Sequence, residues 1–221
     1  MIVIGDLHGC YKTFLALLEK LPKGEDIYLV GDLIDRGHRS REVIQYLIDH
    51  PEIKCVQGNH EGMLLNMVNG VKVDEFGCYI DWGKAWVQNG GSQTLKSYEG
   101  YEIKGNYGCN HINMELPEDH IEYIESLPLY IETEDVIISH TADIRCNWTR
   151  SFSVYPYDKK FHIFGHTIAR NVRQARNYAC VDTGAFYTEK AGYSIKGKPY
   201  GRLTAIQYPS LKIFQQENID D

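Results

Sequence analysis

Three short polar strings near the amino terminus constrain the fold more than any other feature of the chain. They are Gly5-Asp6-Leu7-His8-Gly9, Gly31-Asp32-Leu33-Ile34-Asp35-Arg36-Gly37 and Gly58-Asn59-His60-Glu61. Each string directly follows a short apolar run rich in β-branched residues, at 2–4, 27–30 and 53–56. We therefore predict that each string forms a loop at the carboxyl end of a β-strand.

Helical patterns separate the predicted strands. Apolar residues recur at helical spacing over residues 11–21, where Pro22 ends the pattern, and again over 40–50. Ser40 is the predicted N-cap of the second helix. The alternation of strand and helix continues to about residue 68 and predicts α/β layers, in which ligands bind beyond the carboxyl ends of the strands.

The rest of the chain is predicted to complete one domain over residues 1–221. Residues 62–128 are rich in glycine and aromatic residues, and we interpret them as a partly helical insertion with a clear helix at 118–127. Later apolar runs predict a second, mixed or antiparallel sheet packed on the first, and they span 129–133, 136–139, 161–164, 179–182, 203–208 and 211–214. The expected fold is α/β (α+β), with two packed mixed β-sheets flanked by helices.

Composition excludes several classes of partner. The net charge is -7 and no block of lysine and arginine occurs, so we expect no nucleic-acid partner. No apolar run approaches the roughly 20 residues of a membrane span, and the chain opens on a strand pattern instead of a signal peptide. The six cysteines are irregularly spaced, as is typical of reduced thiols, and we expect a cytoplasmic protein.

The chemistry of the three strings favours phosphoryl transfer at a pair of metal ions. They place three aspartates, two histidines, an asparagine and an arginine within the first 60 residues. Two ions about 3.5–4 Å apart can activate a water molecule and clamp phosphoryl oxygens. Mixed carboxylate and imidazole ligands suit manganese, iron or zinc. We therefore predict a metal site at the strand C-terminal loops.

The order and spacing of these strings resemble the calcineurin-like metallophosphoesterases, and more narrowly the bacterial and phage members of the serine/threonine phosphoprotein phosphatase branch. Asp6 and Asp32 are 26 residues apart, and Asp32 and Asn59 are 27 apart. Two later blocks, Ile138-Ser139-His140 and Phe164-Gly165-His166-Thr167, extend the resemblance. It covers roughly residues 2 to 185, and the complete set of blocks is far more specific than any one of them.

The resemblance implies a role for each matched residue. Two residues, Asp6 and His8, would hold the first ion, and Asp32 would bridge to the second. Three more would hold the second ion: Asn59, His140 and His166. His60 would donate a proton to the leaving oxygen, oriented by Asp35, and two arginines, Arg36 and Arg150, would bind the substrate phosphate.

Some matches depart from the family pattern or have a simpler interpretation. His140 is followed by Thr141-Ala142, where the family usually has glycine two residues after the histidine. Arg150 is a looser match, and a surface arginine is the alternative. Two further segments, Val181-Asp182-Thr183-Gly184-Ala185 and Trp86-Val87-Gln88-Asn89-Gly90-Gly91 with Thr94, resemble parts of the family, but by their chemistry they indicate only turns.

The resemblance implies a phosphatase that hydrolyses phosphomonoesters by in-line attack of a metal-bridging hydroxide. The expected substrates are phosphoserine and phosphothreonine residues of proteins. The alternative is a dinucleoside polyphosphate hydrolase or another phosphodiesterase on the same dimetal site. A non-catalytic scaffold on this fold would show eroded ligand positions, whereas every position is filled here. We expect two divalent metal ions, manganese first, with iron, zinc or nickel as alternatives. Tyrosine specificity, regulation and oligomeric state stay open.

Overall fold

A computed structural model describes residues 1–71, 79–98, 102–103, 112–113, 116–148, 150, 160–189 and 200–220. Helices α1 to α6 span Tyr11–Lys20, Ser40–Asp49, Asn59–Val68, Trp82–Trp86, Ser92–Ser97 and Glu118–Ser126. A π-helical turn, Val87–Gly91, connects α4 to α5. Strands β1 to β12 span Ile2–Ile4, Ile27–Leu29, Lys54–Cys55, Glu102–Ile103, Ile112–Asn113, Tyr130–Glu132, Val136–Ser139, Phe161–Phe164, Arg173–Gln174, Tyr178–Cys180, Arg202–Gln207 and Lys212–Glu217.

The first sheet is mixed and has the strand order β12-β11-β1-β2-β3. Strands β1, β2 and β3 are parallel, whereas β11 pairs antiparallel with β1 and with β12. The prediction that the last two strands belong to the second sheet is therefore wrong. Periodicity identifies these strands but does not reveal which strands they pair with. In the structure, β11 pairs with β1 on the side opposite β2.

The second sheet repeats this plan, with the order β6-β7-β8-β10-β9. Strands β7, β8 and β10 are parallel and lie between the antiparallel edge strands β6 and β9. Both sheets are thus mixed, as predicted, and the structure shows three parallel strands in each. The short edge strand β9 was not predicted, because both of its residues are exposed and polar and carry no apolar pattern.

The two sheets pack face to face because each strand presents alternate side chains to opposite sides. In β1, Val3 lies in a buried cluster between the sheets, whereas Ile2 and Ile4 belong to the core under the helices. In β7, Ile138 joins Val3 in the inter-sheet cluster. This alternation produces three layers, namely helices, first sheet and second sheet.

Helices α1, α2, α3 and α6 cover the outer face of the first sheet. Phe14 of α1 is fully buried and meets the ring of Tyr46 of α2 edge to face, 5.6 Å between centroids. Ser40 is the first residue of α2, not its N-cap as predicted, and its hydroxyl accepts a hydrogen bond from the Asp35 backbone N–H. The Ser40 hydroxyl therefore contacts the preceding loop and does not cap the helix.

The described part of the insertion includes the helices α4, α5 and α6 and the π-helical turn. Predictions for its remainder, at 72–78, 99–101, 104–111 and 114–115, lie outside the described residues. The strands β4 and β5 within it form a two-stranded ladder that was not predicted. Among the described helices, none has the length and apolarity needed to cross a membrane.

Replacing Phe14 by alanine tests the helix layer. We expect Phe14→Ala to lower the free energy of unfolding by about 3–5 kcal/mol, because a fully buried ring leaves a cavity. Urea unfolding in metal-free buffer measures this. The exposed Glu19 on the same helix provides the control, and Glu19→Ala should change stability by less than about 0.5 kcal/mol. Equal effects of the two substitutions would contradict the assignment of Phe14 to the core.

Candidate functional site

The six parallel strands end at one shared edge of the two sheets, and most of the predicted site residues lie there. The first sheet places Asp6 after β1, Asp32 after β2 and Asn59 after β3. The second sheet places His140 after β7 and His166 after β8. Each of these five side chains is at least nine-tenths buried. The arrangement follows the general rule that ligands bind beyond the carboxyl ends of parallel strands.

One cluster joins the two sheets around His140. Its Nε2 atom lies 3.0 Å from Asn59 Oδ1, 3.1 Å from His166 Nδ1 and 3.3 Å from Asp32 Oδ1. Its Nδ1 atom lies 2.8 Å from the carbonyl oxygen of Val30. A carbonyl oxygen only accepts, so Nδ1 carries the proton and Nε2 turns a lone pair toward the other three atoms.

A second cluster lies on the other side of Asp32. The Oδ2 atom of Asp32 is 3.5 Å from His8 Nε2 and 3.8 Å from His60 Nε2. His8 Nδ1 donates to the Ile34 carbonyl oxygen at 3.0 Å, so its Nε2 also presents a lone pair. The two clusters share Asp32, whose two oxygens face opposite sides. A carboxylate placed in this way can bridge two ions.

Buried carboxylates add negative charge to the same edge. Burial, together with the nearby carboxylates of Asp182 and Asp32, raises the pKa of Asp6 well above its usual value. Burial also raises the pKa of Asp182 to about 6. Both oxygens of Asp6 accept from the His166 backbone N–H, at 3.2 and 3.1 Å. Asp182 was not among the predicted site residues, because its segment indicated only a turn.

The imidazoles of three site histidines are held neutral. Burial lowers the pKa of His166 to about 3, and it also lowers the pKa values of His140 and His8. Neutral imidazole is the form that binds metals. Lone pairs of His140 and Asn59 face each other and the carboxylate of Asp32 across 3.0–3.3 Å, which is unfavourable unless a cation lies among them. The donor set therefore fits divalent metal ions.

His60 differs from these three histidines. Its Nδ1 atom lies 2.6 Å from Asp35 Oδ2, and both side chains are buried. Burial alone would lower the pKa of His60, but the carboxylates of Asp32 and Asp35 outweigh burial and raise it. These carboxylates favour the protonated imidazole, whose Nδ1 donates to Asp35 and whose Nε2 lies 3.8 Å from Asp32 Oδ2. Such a group can donate a proton to a bound molecule.

The two predicted phosphate-binding arginines differ in how closely they approach the site. The guanidinium of Arg36 contacts His8 Nε2, lies 3.0 Å from His60 Nε2 and stacks over the ring of Tyr187 at 5.3 Å. Arg150 is exposed, and it is close enough for its charge to contribute to lowering the pKa of His166. Tyr187 was not predicted, because its contact with Arg36 joins residues far apart in the chain.

Backbone strain is concentrated at this edge. Five residues with side chains have a positive φ there: His8 (46°), Asp32 (50°), Asp35 (72°), Arg36 (67°) and His166 (62°). In the described part of the chain, Leu211 is the one other residue of this kind. Residues with a Cβ adopt this region rarely and at a cost, and such outliers cluster at functional sites. The geometry thus supports the loops as the functional region.

Glu61 was quoted in the third string, but no role was predicted for it. Its carboxylate is fully buried and accepts from the backbone N–H groups of Asp32, Leu33, Ile34 and Gly58, at 2.8–3.3 Å. It therefore fastens the second polar loop to the third. The motif offered a possible signal, since a glutamate three residues after the Gly58 N-cap is a capping-box position.

The loop after His140 departs from the family pattern without displacing the histidine. Ala142 is fully buried with Phe164 and Cys180 in a small cluster of the second sheet. The hydroxyl of Thr141 donates to the Asp143 carbonyl oxygen at 3.0 Å. In this chain, packing of Ala142 and the hydrogen bond of Thr141 fix the turn after His140. In the family pattern, a glycine at this position would allow the turn through its backbone freedom.

Comparison with known proteins decides the family. The model of the calcineurin-like phosphoesterase family matches residues 1–170. The chain belongs to this family. Calcineurin-like phosphoesterases use a dinuclear metal site, which agrees with the two clusters that share Asp32.

Relatives of this phosphoesterase have two kinds of name. It is 24% identical to the asymmetrical bis(5'-nucleosyl)-tetraphosphatase PrpE of Anoxybacillus flavithermus, over 95% of this chain and 91% of that protein. It is 28% identical to serine/threonine-protein phosphatase 2 of Escherichia coli, over 83% and 86%. A symmetrical bis(5'-nucleosyl)-tetraphosphatase of Buchnera aphidicola is 40% identical, but over only 35% of this chain and 30% of that protein.

Solved structures show the same fold. The metallophosphoesterase of Sphaerobacter thermophilus superposes with a TM-score of 0.58 at 16% identity, covering 98% of this chain and 88% of that one. The two-sheet architecture of this phosphoesterase is therefore the family fold, and the relatives differ in the substrates that their names state.

Two glycines of this phosphoesterase test the packing of the site. A Cβ at Gly58 would collide with Asp32, whereas at Gly62, four residues later, the nearest atom is 3.4 Å away. We expect Gly58→Ala to cost about 1–3 kcal/mol of stability through overpacking and to lower the number of bound ions. Gly62→Ala should leave both unchanged or raise stability slightly, because alanine favours a helix interior. Urea unfolding and elemental analysis measure the two quantities, and equal behaviour of the pair would contradict the packing described.

Proposed function

We propose that this chain is a metal-dependent phosphomonoesterase that hydrolyses phosphoserine or phosphothreonine in proteins. The observation that carries the proposal is the His60–Asp35 pair, in which His60 belongs to one of the two clusters that share Asp32. A proton donor next to a dinuclear centre provides both parts of ester hydrolysis, an activated nucleophile and a protonated leaving group.

The proposed ligands are the residues implied by the resemblance: Asp6 and His8 for one ion, Asp32 as the bridge, and Asn59, His140 and His166 for the other. Two divalent ions, when bound there, supply Lewis acidity that activates water and neutralises phosphoryl charge. Manganese is the proposed native metal, since a set of three oxygen-bearing side chains and three imidazoles suits that ion. Action in the cytoplasm and the absence of a nucleic-acid partner remain parts of the proposal.

The side chains of the protein bind the phosphate and move the proton. Arg36 and Arg150 pair with phosphate oxygens, for which the planar guanidinium is well suited. Because Arg36 lies 3.0 Å from His60 Nε2, a phosphate held by Arg36 places its ester oxygen beside that atom. His60 gives its Nε2 proton to the leaving oxygen as the P–O bond breaks. Asp35 keeps the imidazole oriented through Nδ1.

Replacing His60 tests the proposed separation of roles. The wild-type protein should hydrolyse p-nitrophenyl phosphate with added Mn²⁺, lose activity on chelation and contain two ions per chain. His60→Asn should lower kcat by about 10²–10⁴-fold, because a general acid contributes that much, while both ions are retained.

The partly exposed His50, paired with Glu52, provides the matched control, and His50→Asn should leave kcat unchanged. Loss of both ions in the His60 variant would contradict the assigned role. A wild-type protein without metal-dependent activity would refute the proposed function itself.

The second candidate is hydrolysis of dinucleoside polyphosphates, which the names of full-length relatives support. A pair of tryptophans also favours it. Trp82 of α4 and Trp148 have ring centroids 6.4 Å apart, and Trp148 is 44% exposed. Its neighbour Asn147 donates to the Gly58 carbonyl oxygen at 3.2 Å, directly before Asn59. An exposed indole so close to the centre can stack on a nucleobase.

Trp148 therefore discriminates between the two substrate classes. If nucleotides are the substrates, Trp148→Ala should lower kcat/KM for diadenosine tetraphosphate about tenfold, since base stacking contributes about 1–3 kcal/mol. Activity on p-nitrophenyl phosphate should not change, and Trp148→Phe should keep most of the nucleotide activity. A side-by-side assay with a phosphoserine peptide decides the matter. A clear preference for the peptide, with no effect of Trp148→Ala on the nucleotide, supports the phosphomonoesterase.

A further inference from the structure

We propose that Trp86 and Thr94, both in the insertion, are positioning residues for the proton donor. They hold the carboxylate of Asp35 and thereby fix the orientation of His60. This inference rests on the proposed function of His60, and it deepens that function by giving the insertion a part in the chemistry.

The carboxylate of Asp35 is fully buried, and each of its oxygens has a separate task. Its Oδ2 atom accepts from His60 Nδ1 at 2.6 Å. Its Oδ1 atom accepts from Trp86 Nε1 at 3.0 Å and from the Thr94 hydroxyl at 2.6 Å. With two donors on Oδ1, the carboxylate plane cannot rotate without leaving a buried donor unpaired, which is costly.

Thr94 also holds the backbone of the same residue. Its Oγ1 accepts from the Asp35 backbone N–H at 2.8 Å and lies 3.0 Å from the Ser40 hydroxyl oxygen. Asp35 has a φ of 72°, which is unfavourable for a residue with a side chain. One hydroxyl thus secures both the strained backbone and the side chain of Asp35.

The turn between α4 and α5 makes this contact possible. Gly90 has a φ of 109°, and its carbonyl oxygen accepts from the Arg36 backbone N–H at 3.1 Å. Gly91 lies flat on the indole of Trp86, where any Cβ would collide with the ring. Gly91 therefore allows the indole of Trp86 to lie against Asp35. The Gly90 carbonyl oxygen joins the insertion to Arg36, the residue after Asp35.

Loss of either donor should affect proton transfer and leave phosphate binding intact. When the P–O bond breaks, His60 gives its Nε2 proton to the leaving oxygen and becomes neutral, while Asp35 keeps its charge. A released Asp35 would no longer hold Nδ1, so Nε2 would be misdirected. The Arg36 guanidinium and the proposed ligand set are untouched by the substitution. The loss should therefore grow as the leaving group becomes more basic.

Thr94→Val and Trp86→Phe, which keep shape and remove one donor each, test this inference. We expect kcat with phenyl phosphate to fall about tenfold or more, and kcat with p-nitrophenyl phosphate to fall much less, because its leaving group needs little protonation. KM and the number of bound ions should not change, and Thr94→Ser should restore kcat. In a His60→Asn background, Thr94→Val should change kcat less than about twofold, since the two residues act as a unit.

Thr13 offers a matched control, because its buried hydroxyl donates to Asp220 Oδ2 at 2.6 Å, outside the site. Thr13→Val should lower stability and leave kcat unchanged for both substrates. The inference is overturned if Thr94→Val behaves like this control, or if it lowers kcat equally for both substrates and in the His60→Asn background. If His60→Asn itself keeps the wild-type kcat, the proposed function of His60 fails, and the inference fails with it.

Discussion

The structure of the candidate site depends on one buried carboxylate, that of Glu61. It receives backbone N–H groups from two loops that are 24 to 26 residues apart in the chain, at Asp32–Ile34 and at Gly58. These N–H groups lie beyond the strand ends and have no partner in a sheet, so without Glu61 they would be buried and unpaired. Burial, together with the nearby carboxylate of Asp32, raises the pKa of Glu61 to about 7. The positive φ of Asp32 persists because these bonds hold its loop.

The site places like charges and like lone pairs together. Asp6, Asp32 and Asp182 lie buried at one edge, and lone pairs of neutral histidines face them. Such an arrangement is electrostatically unfavourable without cations, but it is well suited to bind them. The fold is stabilised elsewhere, in the apolar layers between the sheets and under the helices, and that stability offsets the unfavourable electrostatics. This division explains how a rigid scaffold can carry strained and repulsive loops.

The features that could be predicted from the sequence are those that depend on residues close together in the chain. Alternation and helical spacing located most strands and the main helices, and the polar strings located Asp6, Asp32 and Asn59 at strand ends. Prediction from the sequence failed where distant parts of the chain decide. The pairing of β11 with β1 belongs to this group. The residues that hold Asp35 lie in a segment whose glycines indicated only a turn, and no local pattern reveals which residue a turn will face.

The sharing of the site between the sheets has a consequence for how the protein reaches its working form. The first 68 residues contain Asp32 and Asn59, but His140 and His166 belong to strands of the second sheet. An ion bound among these four side chains would cross-link the two sheets. Metal binding and the docking of the two sheets would therefore be coupled equilibria. With the proposed ligand set, the ion held by Asn59, His140 and His166 would therefore gain all of its ligands only after residue 166 has been synthesised. Metal supply would then act on the assembly of the protein as well as on its chemistry.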